Sequence, residues 1–435
     1  MSAATAPVGT APVGASGRAR RAVAGGIVGN LIDQLHIFVP VVALAPALPT
    51  LIGSDRIELA AALVMAATLI GRPVGAAVFG SIADRVSRTA TTQIAIGGTA
   101  LCSLLIALVP GHATLGVGTL VALIALRFLL GIAIAGEYSA AIPLAMEWSA
   151  PRRRGLNSGL IMAMAPLAQA GIAAFTALAL QGLGPDAYAQ WGWRIIFLIA
   201  SALSVGMLIF YRRHVVDAAA STSAEAAART RLWDVVAGRW AKPFWQLFAL
   251  MTGLWLMTQM TVIVIVGRLS ASDGPGLDAD DTALIMLAAS IAQAAVMAVA
   301  GHASTLLGRR RFLTLWGVGS AVLAPAVWMW AMGTGTLGAA LAPVVLLQMV
   351  TVPVYGPMGA YISESFSAAV RSRGYGTAYS ASIVLPSLTM LYMPLLDRAL
   401  GPLVAPAVVL GAAGLLVAAA ALAGPAARRE EEPLS

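Results

Sequence analysis

Long apolar runs separated by short polar segments dominate this chain. A helix needs about 20 apolar residues to cross a bilayer. Twelve stretches meet that requirement: 27–52, 57–82, 92–111, 115–147, 158–182, 193–211, 244–267, 281–306, 313–333, 338–364, 374–396 and 402–424. Strands of a transmembrane β-barrel would alternate with period two over about ten residues, and no such pattern appears. The run from Leu403 to Gly424 is apolar on every face, as a helix surrounded by lipid and other helices requires. The pattern predicts an all-α membrane protein of twelve transmembrane helices.

Composition excludes the soluble alternatives. Hydrophobic residues make up 59% of the 435 residues and charged residues 11%. So few charges cannot cover the surface of a soluble chain of this length, and so much apolar surface cannot stay disordered. One cysteine, Cys102, excludes a disulfide framework and a cysteine-based metal site. No metal site and no cofactor are expected.

The charges that do occur report topology. With the N-terminus in the cytoplasm and the spans alternating, most of the 27 lysines and arginines fall on the inner side. They include Arg18, Arg20, Arg21, Arg85, Arg88, Arg152 to Arg154, Arg212, Arg213, Arg309 to Arg311, Arg371 and Arg373. Arg56, Arg194, Arg268 and Arg398 fall outside, and Arg72 and Arg127 lie within spans. This asymmetry is the positive-inside rule, and it predicts both termini in the cytoplasm. The formal net charge of +8 therefore reflects orientation. Nucleic acid is not an expected partner, because no basic face carries interleaved aromatics.

Residues 1–24 read as a flexible cytoplasmic tail, and 425–435 as a second one. Asp33 and His36 in the following apolar stretch argue against a signal peptide. Six spans fill a first half, 25–213, and six a second, 244–424, joined by a cytoplasmic linker at 214–243. The halves echo each other. Gly80 and Gly301 open similar loops, Glu147 and Glu364 close spans four and ten, and Gly155 and Gly374 follow arginines. The offsets are 301 − 80 = 221, 364 − 147 = 217 and 374 − 155 = 219. Two six-helix repeats around a central site are the architecture of alternating-access transporters.

Several motifs carry a family resemblance. The run Arg72-Pro73-Val-Gly75-Ala-Ala-Val-Phe79-Gly80-Ser-Ile-Ala-Asp84-Arg85-Val-Ser-Arg88 resembles the loop signature of the major facilitator superfamily. Arg127-Phe-Leu-Leu-Gly131 resembles its fourth-helix motif. The Arg-Pro-x-Gly start, Gly136-Glu137-Tyr138, Tyr355-Gly356-Pro357-Met358, Glu364, Arg371 and Gly374 are similar to its metabolite:proton symporter branch. That branch usually reads Gly-Asn-x-x-Glu-Trp-x-Asp-Phe in helix one. Here the segment is Gly29-Asn30-Leu-Ile-Asp33-Gln34-Leu-His36-Ile37, with the first acid shortened and the second replaced by histidine. Ser87 stands where the loop signature has glycine, and Thr305 where the second half has room for an acid.

A charge at the bilayer centre costs about 2.5–3.5 kcal/mol on insertion scales, so each one retained there needs a partner or a task. Asp33 and His36, three residues apart, share a helix face and with Glu137 are the proton-coupling candidates. Arg127 and Glu137 are separated by about 15 Å along their helix, too far to pair directly. Arg72, Arg127, Tyr138, Gln169, Tyr355 and Tyr361 are the substrate-binding candidates. Asp84, Arg85, Arg88, Glu147, Arg154, Glu364 and Arg371 lie at the inner rim as gating candidates. The resemblance implies a loop ion pair from Asp84 to the facing half, and it places Glu147 beside Arg152–Arg154 and Glu364 beside Arg371 and Arg373. Trp191, Trp193, Trp240 and Trp245 read as interface anchors, and Pro143, Pro166, Pro353 and Pro386 as kinks.

No phosphate-binding G-x-x-x-x-G-K-[ST] loop is present, so transport is expected to use an ion gradient or to run downhill. The expected function is import of a small polar metabolite, an organic acid or a zwitterion, by proton symport. The expected location is a bacterial inner membrane, and the expected state a monomer. Proton-coupled export or antiport and a transporter-derived sensor are the alternatives. A membrane enzyme lacks clustered catalytic groups here, with four scattered histidines and one cysteine.

Overall fold

The structure is a computed structural model that describes residues 15–53, 57–217 and 231–425. Its elements are helical throughout those residues. Eleven continuous helices are long and apolar enough to cross a membrane, and a bent pair supplies a twelfth. They are α1 (Gly17–Ile52), α2 (Leu63–Arg85), α3 (Arg88–Ala107), α4 (Gly118–Trp148), α5 (Pro151–Leu183), α6 (Pro185–His214), α7 (Ala241–Ser270), α8 (Ala279–Leu307), α9 (Arg309–Met332), α10 (Leu337–Ser365), α11 (Ala368–Ser387 with Leu391–Leu400) and α12 (Val404–Ala423). Every apolar stretch found in the sequence matches one of them. The outer surface carries leucine, valine and isoleucine side chains such as Val86, Leu178, Leu306, Leu391 and Leu415. Exposed aliphatic groups all around a bundle suit contact with lipid.

Helical residues begin at Ala15, so 15–24, expected in the tail, are already helix. Residues 1–14, 218–230 and 426–435, which hold much of the expected tails and part of the linker, lie outside the described residues. The linker's described parts are ordered by specific contacts. Asp217 accepts from the Thr89 N–H at 2.8 Å and from the Ser87 hydroxyl at 2.6 Å, and Leu232–Val236 forms a short helix.

Close helix approach needs glycine. A Cβ on Gly71 would lie 2.3 Å from the Phe128 carbonyl oxygen, one on Gly75 2.2 Å from that of Ile132, and one on Gly131 2.1 Å from that of Thr68. The glycines of Gly-Arg-Pro-Val-Gly thus seat α2 directly on α4, as small residues do between membrane helices. This fixes Arg72 beside Tyr138. A similar crossing joins the halves, because a Cβ on Gly155 of α5 would lie 2.2 Å from the Gly301 oxygen of α8.

Irregularities in the second half cluster at one level. In α7 the segment Gln259–Val264 is π-helical, and α11 bends by 52° between Ser387 and Leu391. Gln259 Nε2 donates to the Pro386 oxygen at 2.9 Å, tying the two interruptions together. Beyond them Arg268 and Asp397 form a 2.5 Å ion pair. Pro386 therefore sits at the bend as expected, and Pro353 lies in the 3-10 turn Val352–Tyr355. Pro143 lies within the uninterrupted helix Gly118–Trp148, so its kink is not an interruption. Trp193 is fully buried against Phe197, which corrects its reading as an interface anchor; Trp191 and Trp245 are exposed.

A side chain at Gly155 should wedge the halves apart. In a Cys102→Ser background with spin labels at Val86 and Leu306, Gly155→Val is expected to lengthen the interlabel distance. An unchanged distance distribution would mean the crossing is not a closed contact.

Candidate functional site

The arginine-rich end is sealed by charge. Glu147, at the end of α4, pairs with Arg88 of its own half and Arg371 of the other. Glu364, at the end of α10, pairs with Arg309 of its own half at 3.2 Å and Arg154 of the other at 3.3 Å. The two clusters are related by the internal repeat: each acid takes one arginine from each half. The sequence groups these acids and arginines at the inner rim, and the structure gives their partners. Glu147 takes Arg371 and Glu364 takes Arg154 because α5 and α11 start against the opposite half.

Asp84 and Arg85 form the last turn of α2, and Arg88 begins α3, so these groups are helix ends rather than loop residues. Asp84 accepts from the backbone N–H groups of Ser372 and Arg373, both at 2.9 Å. It thereby caps the helix Arg371–Ala381 of the other half, where the helix dipole favours an anion. The expected loop ion pair across the halves is replaced by this cap, with Arg88 of the same half 3.8 Å away. Arg88 reaches across as well, to Ser372 Oγ at 2.9 Å and the Ala368 oxygen at 3.0 Å. Arg85 is exposed. In the second half Thr305 stands in the place of Asp84, and Arg309 donates to its hydroxyl at 3.0 Å. The seal is therefore symmetric in its glutamates and asymmetric in its cap.

Midway along the bundle the charges are less completely paired. Arg72 is 1% exposed. Its guanidinium carbon lies 5.0 Å from the Tyr138 ring centroid and 5.6 Å from those of Trp255 and Tyr379. Tyr379 stacks on Tyr138 at 5.0 Å and on Tyr375 at 5.9 Å, and Trp255 packs edge-on against Tyr355 at 5.4 Å. One tyrosine and the arginine come from the first half, and the remaining rings from the second. Cation–π contacts contribute about 2 kcal/mol or more when desolvated, which is the scale of the cost of placing the charge there. They do not satisfy the donors. Arg72 Nε and Nη2 have no acceptor among the described residues, and the hydroxyls of Tyr375, Thr377 and Ser380 have no partner there either. Buried polar groups are almost always hydrogen-bonded, so this concentration of unmatched groups suits a ligand with polar atoms.

Next to this box, Asp33 and Glu137 are both buried and lie beside each other. Asp33 Oδ1 and Glu137 Oε1 have no donor among the described residues. A Cβ on Gly29 would lie 2.9 Å from Glu137 Oε1, so the glycine lets α1 approach this acid closely. Gln34 donates to the Tyr138 hydroxyl, linking the carboxyl pair's helix to the aromatic box.

The other expected residues lie elsewhere. His36 does not join Asp33; its Nε2 and Nδ1 lie 2.8 Å and 2.7 Å from the hydroxyls of Ser204 and Ser103. Arg127 donates to the His36 carbonyl at 3.1 Å and is separate from the box around Arg72. Tyr361 accepts from Gln246 at 3.2 Å. Gln169 is half-buried on α5. Trp255 and Gln34 were not among the expected site residues. An apolar-looking tryptophan in mid-span gave no polar signal, although its depth, far from either interface, was the available clue.

Comparison with known proteins agrees with this architecture. The family model of the Major Facilitator Superfamily matches residues 33–388. The chain belongs to that superfamily. It is thus a transporter, a multi-pass membrane protein and not an enzyme. The superfamily chain is 26% identical to the inner membrane metabolite transport protein YhjE of Escherichia coli K12, over 82% of this chain and 83% of that protein. It is also 26% identical to the proline/betaine transporter of the same organism, over 86% and 77%. Among solved structures it resembles the proton:xylose symporter XylE bound to 6-bromo-6-deoxy-D-glucose, with a TM-score of 0.74 at 14% identity over 93% and 95% of the two chains. Another similar structure is the transporter FucP in its outward conformation, with a TM-score of 0.68 at 13% identity over 92% and 98%.

Asp84→Asn should loosen the seal, because Asp84 accepts the two N–H groups on separate oxygens and an amide keeps only one acceptor, which leaves one buried N–H unmatched at a cost of about 1–3 kcal/mol. Labels at Val86 and Leu306 are expected to report a larger open population at the arginine-rich end. Equal populations in both proteins would show that Asp84 is dispensable for closure.

Proposed function

We propose that this transporter imports a small carboxylate-bearing solute, an organic acid or a zwitterion, together with protons. The observation that carries the reading is the Arg72 guanidinium, held by rings from both halves and left with unmatched donors. A carboxylate supplies what the rings do not: two acceptor oxygens in the plane of the guanidinium fork. The proline/betaine relative carries solutes of this chemistry by its name. The neighbouring Asp33–Glu137 pair is the proton carrier. Solute and proton then meet at one level of the bundle, next to the interface between the halves.

The arginine-rich end faces the cytoplasm by the positive-inside rule, with both termini on that side of a bacterial inner membrane. With its glutamate clusters closed, the conformation described is shut toward the cytoplasm. Solute binding supplies Arg72 with a counter-charge where it meets the second-half rings, and protonation of the carboxyl pair removes a buried negative charge. Opening the cytoplasmic seal then requires the Glu147 and Glu364 clusters and the Asp84 cap to separate. The gradient supplies the driving force: one charge crossing 100 mV releases about 2.3 kcal/mol.

In proteoliposomes, Glu137→Gln is expected to retain counterflow exchange while losing uptake driven by a proton gradient. Fully gradient-driven uptake in both Glu137→Gln and Asp33→Asn would overturn the coupling assignment. Arg72→Gln is expected to weaken solute binding about ten- to hundredfold, the size of a lost charge-assisted interaction. Binding at wild-type affinity would remove Arg72 from the site.

A further inference from the structure

The first half holds a second buried arginine that the proposed transport cycle does not use. Arg127 is 1% exposed in the middle of α4. Among the described residues no carboxylate lies within 4.0 Å of it, and its one hydrogen bond runs from Nη1 to the His36 carbonyl. Its Nε has no acceptor. The Cys102 thiol and the His36 ring lie alongside. Neither carries a negative charge to it: each ring nitrogen of His36 is matched by a serine hydroxyl, which serves as donor or acceptor and so satisfies the neutral ring. Nor does Arg127 have the aromatic enclosure that offsets the charge of Arg72. A guanidinium stays charged in a protein, and leaving one buried and uncompensated is strongly destabilising.

We propose that Arg127 holds a small inorganic anion, of chloride's size and charge, as a resident counter-ion. The groups around it decide between this and the transported solute. Arg127, His36, Cys102, Ser103 and Ser204 all belong to α1, α3, α4 and α6, so the site is built within one half. A transported solute must bind where the two halves part, as the Arg72 box does. An anion enclosed by one half stays with that half through the cycle and supplies the charge that position 36, as histidine, does not. Arg127 Nε, buried and without an acceptor, is the donor available to it, and burial of the whole side chain favours a compact ion.

The geometry also identifies the change that makes the anion unnecessary. A carboxylate at position 36 would lie beside Arg127 and accept from the Ser103 and Ser204 hydroxyls, which now contact the ring at 2.7 and 2.8 Å. The purified full-length protein is unfolded thermally in potassium gluconate with potassium chloride replacing it at constant ionic strength, and with no organic solute. Wild type should show a saturable rise in Tm with chloride. His36→Asp should unfold at a higher temperature than wild type in gluconate and show no rise with chloride. Arg127→Gln should lose the rise as well. A wild-type Tm that does not depend on chloride overturns the proposal, and so does a His36→Asp protein that keeps the full wild-type rise. Because the readout contains no solute and no transport, its failure is separate from any failure of the import reading.

Discussion

A charge in the middle of a bilayer must be compensated where it stands, and this constraint organises the whole protein. At the arginine-rich end each acid gathers several donors, and the acids pair with arginines of both halves, so the halves meet through shared charge networks. In the centre the compensation is partial: rings for Arg72, a partner carboxyl for Asp33 and Glu137, a single carbonyl for Arg127. Ion pairs between the halves hold a conformation, and the proposed function assigns the partly compensated centre to the solute and the proton.

The seal must also be reversible. Buried ion pairs suit this, because desolvation offsets much of their Coulombic gain and the net stabilisation is modest. The internal repeat supplies two such clusters, around Glu147 and Glu364, so closure is shared between two points on the interface. Replacement of an acid by Thr305 in the second repeat leaves Asp84 as the one charged cap of this kind. The two copies of the motif are therefore unequal in how they cap the facing half.

Much of the fold was legible in the sequence because hydrophobic run length and arginine placement are direct consequences of the bilayer. The acidic and basic residues that matter were legible for the same reason, since so few survive within spans. Their partners were not. Glu147 and Glu364 take arginines from the facing half, a fact set by how α5 and α11 cross the interface and invisible to sequence spacing. Asp33 and His36 share a face over one turn, yet the first meets Glu137 and the second two serines. Trp255 and the linked interruptions of α7 and α11 depend on long-range packing that no local pattern encodes.

The central claim is that solute and proton are bound in one neighbourhood, by Arg72 and by the Asp33–Glu137 pair. Proton linkage of solute binding tests it most directly, by calorimetry of the purified protein in buffers of different ionisation enthalpy. The account predicts a net proton exchange with buffer on solute binding in wild type that disappears in the Asp33→Asn/Glu137→Gln double variant. Linkage of unchanged size in the double variant would contradict it.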